Sequence, residues 1–547
     1  MLTARSFSAR PSTSLKRVFQ GPLRCAKGDV PVTLTIEDWN FLSYPSVQVQ
    51  VRPEFLPELM PHIDSGGDLC YFSPGAVTLD RYDPGSAIAQ CLEQATAVLD
   101  RVAADPDYRS ADIQDEFPAH WISGQKTVPY DVLMGQVDSQ ATSATYFYMD
   151  VAGRRRAVIA TDREEAMRFA TAFGALNNFN TSQTCWLFRT EIRPVVPVKM
   201  PQTVKELFAW LREWDRGLSA SVQRVFERPD YLQANAVRFA VHSPVGWIGF
   251  GFDLDRLKRI GYVKSPKKYQ QFLHHAGGDE PVLRLSIEEA GAQFVHNRNL
   301  SFDDLYNKRV TIVGCGAIGS FVAQAMVRLG AGTGKLGALK LVDPQLFAPE
   351  NLGRHVLGYP ALLRPKAEAL RDELSRQFPH SKVESWVGSA FDDPALFGAE
   401  LIIDATGEES VSECLNGLNL ARLVRRPILY VWIRGNGEAV QALWSEKAAL
   451  ACYRCLILPD AKLHRKERLP LLKTETQRRT IGCRAFTPYA VSAPMQAAAL
   501  ATDMVCAWLQ GDPSPCFRTR SVETANVFVL KNQDLLKLKE CPACSHP

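Results

Sequence analysis

Residues 309–343 constrain the fold most, because a short apolar run is followed at once by closely spaced glycines. Residues 310–313 are mostly β-branched, which is typical of a buried parallel strand. Apolar residues then recur at helical spacing, and a second apolar run, 339–342, ends at Asp343. The pattern predicts a strand–helix–strand unit with a tight turn after its first strand. The turn has G-x-G-x-x-G spacing, formed by Gly314, Gly316 and Gly319.

A unit of this kind can bind phosphate and ribose. Glycines let the main chain approach a phosphate closely, and the helix N-terminus directs N–H groups and a positive dipole end at it. Asp343, at the end of the second strand, can accept hydrogen bonds from ribose hydroxyls. We therefore predict a nucleotide site, with a purely structural glycine turn as the alternative. The motif alone does not select the nucleotide, so a dinucleotide-dependent oxidoreductase stays open at this point.

The residues after Asp343 favour chemistry at a phosphate over hydride transfer. Arg354 and Lys366 can neutralise charge that develops on a triphosphate, and Asn351 can orient it. Asp404 ends an apolar strand pattern, where a carboxylate is a suitable ligand for Mg²⁺. Together these residues fit the attack of a carboxylate on the α-phosphate of ATP. A hydride-transfer site needs no such set of charges.

Residues 309–407 resemble the adenylation domain of ubiquitin-activating (E1-type) enzymes and their ThiF/MoeB relatives. The matching segments are GCGAIGS, LVD, ENLGRH, PKAEAL and IIDATG. The resemblance implies an α/β, Rossmann-like domain with a mainly parallel sheet over residues 301–547, ATP and Mg²⁺ as cofactors, and a homodimer formed through this domain. The resemblance also implies catalytic roles for Arg354 and Lys366 and a magnesium-ligand role for Asp404. It assigns nucleotide binding to the following residues: Gly314, Gly316, Gly319, Asp343, Asn351, Arg354, Lys366 and Asp404.

Two C-x-x-C pairs lie in the C-terminal part of the chain, Cys452 with Cys455 and Cys541 with Cys544. Four thiolates can form a closed tetrahedral zinc site, which is structural rather than catalytic. The gap between the two pairs is long for a simple zinc ribbon, but related activating enzymes carry the same split arrangement. We predict structural Zn²⁺, with four reduced structural cysteines as the alternative.

Cys483 follows a glycine and precedes Arg484, and a nearby positive charge favours a thiolate. In the activating family, the loop before the following helix crosses the adenylate and carries the cysteine that forms a thioester. Cys483 is therefore the candidate acyl acceptor. Cys506 falls within the predicted helix and is interpreted as a core residue. Cys315 lies within the glycine loop, too close to the phosphates to accept the acyl group.

Cys70 ends the segment MPHIDSGGDLC, a turn-rich stretch that follows two predicted strands. A cysteine in a loop is compatible with nucleophilic catalysis, although most single cysteines are small apolar fillers. The segment resembles the active site of ubiquitin-conjugating (E2-type) enzymes, which runs His-Pro-Asn, a turn, an apolar residue and the catalytic cysteine. Pro61 and Cys70 match it, whereas Met60 replaces the histidine and His62 the asparagine. In the E2-type enzymes this asparagine is assigned either to stabilising the oxyanion or to holding the loop. In this chain that role is either absent or passes to His62.

The chain is predicted to contain four parts. Residues 1–28 are basic and serine-containing and are expected to form a disordered tail outside the fold, with a targeting segment as an open alternative. An α+β conjugating-like domain follows at 29–150, then a linker or docking domain at 151–300 and the adenylation domain at 301–547. Arg284 or Arg298 could reach a phosphate, with a solvated surface arginine as the alternative.

Composition narrows the function classes. The net charge of +4 gives no case for a nucleic-acid partner, and no membrane span is expected, because no apolar run approaches about 18 residues. The 13 cysteines lie in a long chain without a secretory signal, which favours a reduced, cytoplasmic location.

The order of domains resembles the activating–conjugating (E1–E2) fusion proteins of bacterial anti-phage operons of the CBASS type. The resemblance implies adenylation of a protein's C-terminal carboxylate, a thioester on Cys483, transfer to Cys70 and conjugation to an amine of a protein or small molecule. The activated protein would be a cGAS-like nucleotidyltransferase or a ubiquitin-like protein. Three alternatives stay open: activation of a sulfur carrier, a nucleotide-dependent oxidoreductase, and a non-catalytic ATP-binding scaffold.

Overall fold

A computed structural model describes the chain except residues 14–15, 65, 126–130, 162, 176–178, 229–234, 254–260, 263–264, 276, 459–464, 482–483 and 546–547. The candidate Cys483 lies outside the described residues. The chain divides into two compact units. The first comprises Met1–Arg163 and Asn177–Glu289, and the second comprises Glu164–Leu176 and Ala290–Pro547. No described helix is long and apolar enough to cross a lipid bilayer.

The helices and strands are numbered along the described chain. The helices are α1 (Pro84–Ala104), α2 (Pro106–Asp115), α3 (Phe117–Trp121), α4 (Arg163–Ala172), α5 (Val204–Trp214), α6 (Arg216–Val225), α7 (Pro266–His274), α8 (Ala292–Asn297), α9 (Ala317–Arg328), α10 (Lys366–Gln377), α11 (Glu409–Leu420) and α12 (Ser492–Leu509). The strands are β1 (Ser8–Arg10), β2 (Arg17–Cys25), β3 (Gly28–Ile36), β4 (Ser46–Val49), β5 (Asp131–Met134), β6 (Ser143–Val151), β7 (Arg154–Ala160), β8 (Phe179–Arg189), β9 (Ala236–Ser243), β10 (Gly246–Asp253), β11 (Leu283–Glu289), β12 (Arg309–Val313), β13 (Ala338–Val342), β14 (Val383–Trp386), β15 (Leu401–Asp404), β16 (Ile428–Arg434), β17 (Ala439–Ser445), β18 (Ile457–Leu458), β19 (Lys466–Glu467), β20 (Arg479–Ile481), β21 (Arg484–Phe486) and β22 (Phe517–Ser521).

The first unit begins with a four-stranded antiparallel sheet in the order β1-β2-β3-β4. Helix α1 contributes its apolar face to the core beneath this sheet, and Asp83 caps the helix by accepting a hydrogen bond from Ser86 N–H. The expectation that residues 1–28 lie outside the fold is wrong. Strand β2 pairs with β3 along its whole length, and Phe7 and Leu23 are buried in the same core.

The rest of the first unit contains a closed seven-stranded barrel, in the order β10-β11-β5-β7-β6-β8-β9, and helices α2, α3, α5, α6 and α7. The limits of the barrel differ from the predicted domain boundaries, because the boundary after residue 150 falls within β6. Arg284 is fully buried in β11, where its guanidinium donates to the carbonyls of Trp121 and Ser123 at 2.8 and 3.0 Å. The prediction of a surface or phosphate-binding arginine is therefore wrong for Arg284.

The second unit contains a seven-stranded sheet in the order β14-β13-β12-β15-β16-β17-β22. Its first five strands are parallel, and the last two join antiparallel. Strand β12 lies between β13 and β15, so the chain order reverses at its carboxyl end. In open parallel sheets this switch point is where ligands bind. The predicted α/β fold with a mainly parallel sheet is confirmed for this unit.

Candidate active site

The glycine loop connects β12 to α9, and two of its glycines are required by close packing. Gly314 has a φ of +88°, and a Cβ there would lie 2.8 Å from Cγ2 of Thr406. A Cβ on Gly319 would lie only 1.7 Å from the carbonyl oxygen of Gly314. A Cβ on Gly316 would meet nothing within 4 Å. Gly314 and Gly319 are therefore required by the packing of the loop itself, whereas Gly316 leaves space beside the helix N-terminus.

The Asp343 side chain fixes the glycine loop and also lines the cavity beside it. Its Oδ2 accepts a hydrogen bond from Cys315 N–H at 2.7 Å, and its Oδ1 accepts one from Gln345 N–H at 2.7 Å. Each carboxylate oxygen can accept more than one hydrogen bond, so Asp343 keeps capacity for a ribose hydroxyl. The predicted position of Asp343 at the end of the second parallel strand is confirmed.

His355 holds the opposite side of the same loop. Its Nδ1 accepts from Leu357 N–H at 3.0 Å, so the proton resides on Nε2, which donates to the Cys315 carbonyl at 2.8 Å. Burial lowers the pKa of His355 to about 4. The imidazole is therefore neutral at physiological pH. His355 belongs to the ENLGRH segment, but nothing in the local sequence reveals its contact with Cys315, 40 positions away.

A cavity of about 570 Å³ lies at the carboxyl ends of the parallel strands. The glycine loop, Asp343, Arg354 and Lys366 line it. Lys366 is 5% exposed and donates to Oε1 of Gln345 at 2.7 Å, while the Arg354 guanidinium lies 5.2 Å from the ring centre of Tyr489. Neither cation forms an ion pair within the described residues. Two cations without acidic partners, beside a helix N-terminus, make the cavity suited to an anionic ligand.

Asn351 and Asp404 do not line the cavity. The Asn351 Oδ1 accepts from Ala348 N–H at 2.9 Å, and so supports the 3₁₀ turn that carries Arg354. The Asp404 side chain is 1% exposed. Thr406 donates to it through its N–H and its hydroxyl at 3.1 and 2.7 Å, and the Ser412 hydroxyl donates at 2.5 Å. Burial raises the pKa of Asp404.

The carboxylate that lines the cavity next to this strand end is that of Glu408, which is exposed. Sequence reasoning missed it because it treated the last strand residue as the ligand. The available signal was the acidic pair that directly follows the glycine turn, in the segment GEES.

The four paired cysteines converge as predicted. The Sγ atoms of Cys452 and Cys455 are 3.8 Å apart, those of Cys452 and Cys541 are 3.8 Å apart, and those of Cys455 and Cys544 are 3.5 Å apart. All four lie within 4.8 Å of one another. Zinc–thiolate bonds of about 2.3 Å at tetrahedral angles place sulfurs roughly 3.8 Å apart. The arrangement therefore fits one metal ion held by four thiolates.

In the first unit, Cys70 is exposed at the end of a short hairpin. Its N–H donates to the His62 carbonyl at 2.7 Å, and Ile63 bridges Leu69. Gly67 has a φ of +85°, and a Cβ there would lie 2.8 Å from the carbonyl oxygen of Val49. The hairpin is thus held tightly against β4, and it presents the cysteine to solvent.

The remaining candidate residues are placed as follows. Cys315 is buried, and burial followed by the nearby Asp343 raises its pKa well above the usual value, so it is a poor nucleophile. Cys506 lies half-buried in α12. Arg298 is exposed after α8, and its guanidinium lies 5.6 Å from the ring centre of Phe294.

Comparison with known families agrees with both units. The ThiF family matches residues 290–542, and Prokaryotic E2 family B matches residues 1–128. The glycine loop, strand order and cationic cavity described above lie within the ThiF match. The protein is therefore an ATP-using enzyme of the ubiquitin-activating and -conjugating type.

Three relatives span nearly the whole chain, and each bears the name ATP-dependent ubiquitin transferase-like protein Cap2. The Pseudomonas aeruginosa protein is 29% identical, covering 93% of this chain and 90% of its own. The Escherichia coli protein is 23% identical, covering 95% and 92%. The Vibrio cholerae protein is 24% identical, covering 85% and 84%. The chain carries a ThiF domain and a prokaryotic E2 family B domain in one polypeptide and so matches the E1–E2 fusion arrangement that its sequence predicted.

Proposed function

We propose that the chain activates the C-terminal carboxylate of a partner protein and conjugates it to an amine. A carboxylate oxygen attacks the α-phosphorus of ATP, and pyrophosphate leaves. The Cys483 thiolate then attacks the acyl carbon of the adenylate, and AMP leaves. Thioester exchange passes the acyl group to Cys70. An amine finally attacks that thioester, forming an amide and releasing the Cys70 thiol.

The observation that carries this proposal is the cationic cavity at the end of β12. Lys366 and Arg354 face the same space as the glycine loop, and neither has an acidic partner in the described part of the chain. Charge that develops on the α-phosphate and on the leaving pyrophosphate is stabilised by such fixed cations. Asp343 serves the ribose, and Asn351 acts through the turn that positions Arg354.

Glu408, rather than Asp404, would offer the carboxylate ligand for magnesium in this proposal. Both carboxylate oxygens of Asp404 accept hydrogen bonds inside the core, so Asp404 organises the strand end through Thr406 and Ser412. Glu408 offers an exposed carboxylate to the same cavity. A hard oxygen ligand there suits Mg²⁺ that is bound mainly by the phosphates.

The zinc site, the partner protein and the oligomeric state are proposed from the resemblance to E1–E2 fusion proteins. A structural zinc bound by the four paired cysteines would stabilise the end of the adenylation domain. The partner is a cGAS-like nucleotidyltransferase or a ubiquitin-like protein in bacterial antiviral defence, and the adenylation domains pair as a homodimer.

Intact-mass analysis tests the relay directly. The full chain is incubated with Mg·ATP and the protein encoded by the neighbouring gene, without reducing agent. The wild type should gain a thiol-sensitive adduct of one partner mass. Cys483→Ala should lose it, and Cys70→Ala should retain it on the adenylation domain.

Cys414→Ala supplies the matched control, because Cys414 is also exposed but lies in α11 outside both candidate centres. It should behave as the wild type does. A wild type that forms the partner adenylate but no thiol-sensitive adduct would refute the conjugating relay and leave sulfur-carrier-type activation. A wild type that forms no adduct and does not exchange pyrophosphate into ATP would leave only the non-catalytic ATP-binding scaffold.

A further inference from the structure

The side chain of His62 lies in a small polar network beside Cys70. Its Nε2 is 2.7 Å from the Tyr108 hydroxyl and 3.5 Å from Oδ2 of Asp112. That Oδ2 atom is buried and has no hydrogen-bond partner of its own. The Arg101 guanidinium lies 3.7 Å from the ring centre of Tyr108. The network joins the hairpin to helices α1 and α2.

The main chain brings His62 and Cys70 together. The pairing of Ile63 with Leu69 and the hydrogen bond from Cys70 N–H to the His62 carbonyl place the two residues opposite each other. Opposed residues in an antiparallel pair have Cβ atoms about 5 Å apart. His62 adopts a φ of +60°, a left-handed conformation that histidine and asparagine tolerate better than most residues. Such conformations often occur at functional sites.

The two ring nitrogens of His62 have different surroundings. Tyr108 and Asp112 are both on the Nε2 side, which favours the tautomer with the proton on Nε2. Nδ1 then has a free lone pair, and it makes no hydrogen bond to any described residue. Asp112 would stabilise the imidazolium formed when Nδ1 takes a proton. The other charged or titratable groups near the network are Arg101, Glu116 and His120.

We propose that His62 is the proton acceptor for the amine that attacks the Cys70 thioester, with Tyr108 and Asp112 as positioning residues. This inference rests on the proposed function, which places an acyl group on Cys70. The amine nitrogen forms a bond to the acyl carbon, and the carbon–sulfur bond breaks. The amine proton passes to Nδ1 of His62, and the imidazolium then protonates the Cys70 thiolate.

The test loads Cys70 of the full-length chain that carries both Cys483→Ala and Cys414→Ala, so that Cys70 is the exposed cysteine that remains among the described residues. The acyl donor is N-acetyl-glycylglycine benzyl thioester, so the partner protein is not needed. After the reagent is removed, loss of the adduct is followed by intact mass with lysine or hydroxylamine as nucleophile, from pH 6 to 9. Lysine is supplied as Nα-acetyl-lysine, whose ε-amine has a pKa of about 10.4, so it is mostly protonated in this range and needs a base, whereas hydroxylamine is mostly neutral. The variants are His62→Ala, His62→Asn, Tyr108→Phe and Asp112→Asn, and exposed His275→Ala is the control.

His62→Ala and His62→Asn should both slow discharge to lysine by about 100-fold, the lower range for general base catalysis, and change discharge to hydroxylamine less than about twofold. The pH profile of discharge to lysine should differ in shape between the wild type and both variants. Tyr108→Phe and Asp112→Asn should slow discharge to lysine and change discharge to hydroxylamine less than about twofold. A fully active His62→Asn would overturn the inference in favour of a hydrogen-bonding role, as would equal slowing with both nucleophiles. Failure of the wild type to load Cys70 would instead sink the conjugating step itself.

Discussion

The two candidate centres hold their functional groups in opposite ways. In the nucleotide cavity, Asp343 and His355 hold the glycine loop from two sides, and Lys366 is almost completely buried. Cys70 is instead exposed on a hairpin, with His62 bound to a neighbouring helix through a hydrogen bond to Tyr108 and a longer contact of 3.5 Å with Asp112.

The difference follows from what each centre must accommodate. A small, highly charged ligand is stabilised best by groups that do not move and are not screened by water. A thioester nucleophile must be reached by a bulky donor and then by an acceptor, so it needs access more than enclosure. Substitutions should therefore have larger and more local effects in the cavity than around Cys70.

The largest expected effect is on Lys366, and it should be confined to the nucleotide centre. Lys366→Ala removes a cation from the phosphate cavity and should slow ATP–pyrophosphate exchange by about 100-fold or more. Acyl transfer from a small thioester to Cys70 should be unchanged. Lys335→Ala, at an exposed position, is the control for charge loss. Equal loss of both activities would contradict the separation of the two centres.

A pair of glycine variants tests how rigid the loop is. Gly319→Ala should destabilise the second unit by about 3 kcal/mol and prevent ATP binding, because its Cβ would overlap the Gly314 carbonyl. Gly316→Ala should leave the unfolding of the unliganded protein unchanged, because its Cβ meets no neighbour. Thermal unfolding without ATP distinguishes them. Similar melting of both variants would mean that the loop adapts.

The third prediction concerns acid sensitivity of the loop. His355 has a pKa of about 4 in the folded chain and 6.5 when unfolded, so its contribution to stability is present above pH 6.5 and lost as pH falls towards 4. At pH 5 the loss is about 2 kcal/mol. Hydrogen exchange of residues 309–343 measures it. His355→Gln, which cannot titrate, should remove this loss, and His275→Gln should not.

The smallest effect is expected at the exposed edge of the Cys70 centre. Arg101→Ala removes the cation that covers the Tyr108 ring and should destabilise the first unit by about 0.5–1 kcal/mol. Pyrophosphate exchange should not change. Urea unfolding of the full chain, compared with that of Arg154→Ala at an exposed position of the first unit, measures the difference. A loss above about 2 kcal/mol would show that this centre is as tightly held as the cavity.

Local motifs were predictable, whereas contacts between distant segments were not. The strand, glycine turn and helix at 309–328 lie next to one another in the chain, so their pattern and its chemistry are readable from the sequence. His62 and Tyr108 are 46 positions apart, and no spacing rule links them. Residues 1–28 have a basic composition typical of a disordered tail, although they form part of the fold. Their alternation matters only once β2 is in register with β3.

The prediction that Asp404 binds magnesium shows what the sequence could not reveal at the end of β15. The sequence places an acid where β15 meets the cavity, but in a strand successive side chains point to opposite faces. The fold turns Asp404 into the core, towards Thr406 and Ser412, and leaves Glu408 on the cavity side.

Residue types and short spacings were enough to predict the enzyme class, the parallel sheet around the glycine loop, the four-cysteine cluster and the cysteine on a loop, because the chain encodes these features locally. The burial of Arg284, the hydrogen bond of His355 to the Cys315 carbonyl and the network around His62 became visible only in the folded chain. Those outcomes depend on which distant segments pack together, and burial then determines whether a charged or polar group lies free at a site or is satisfied in the core.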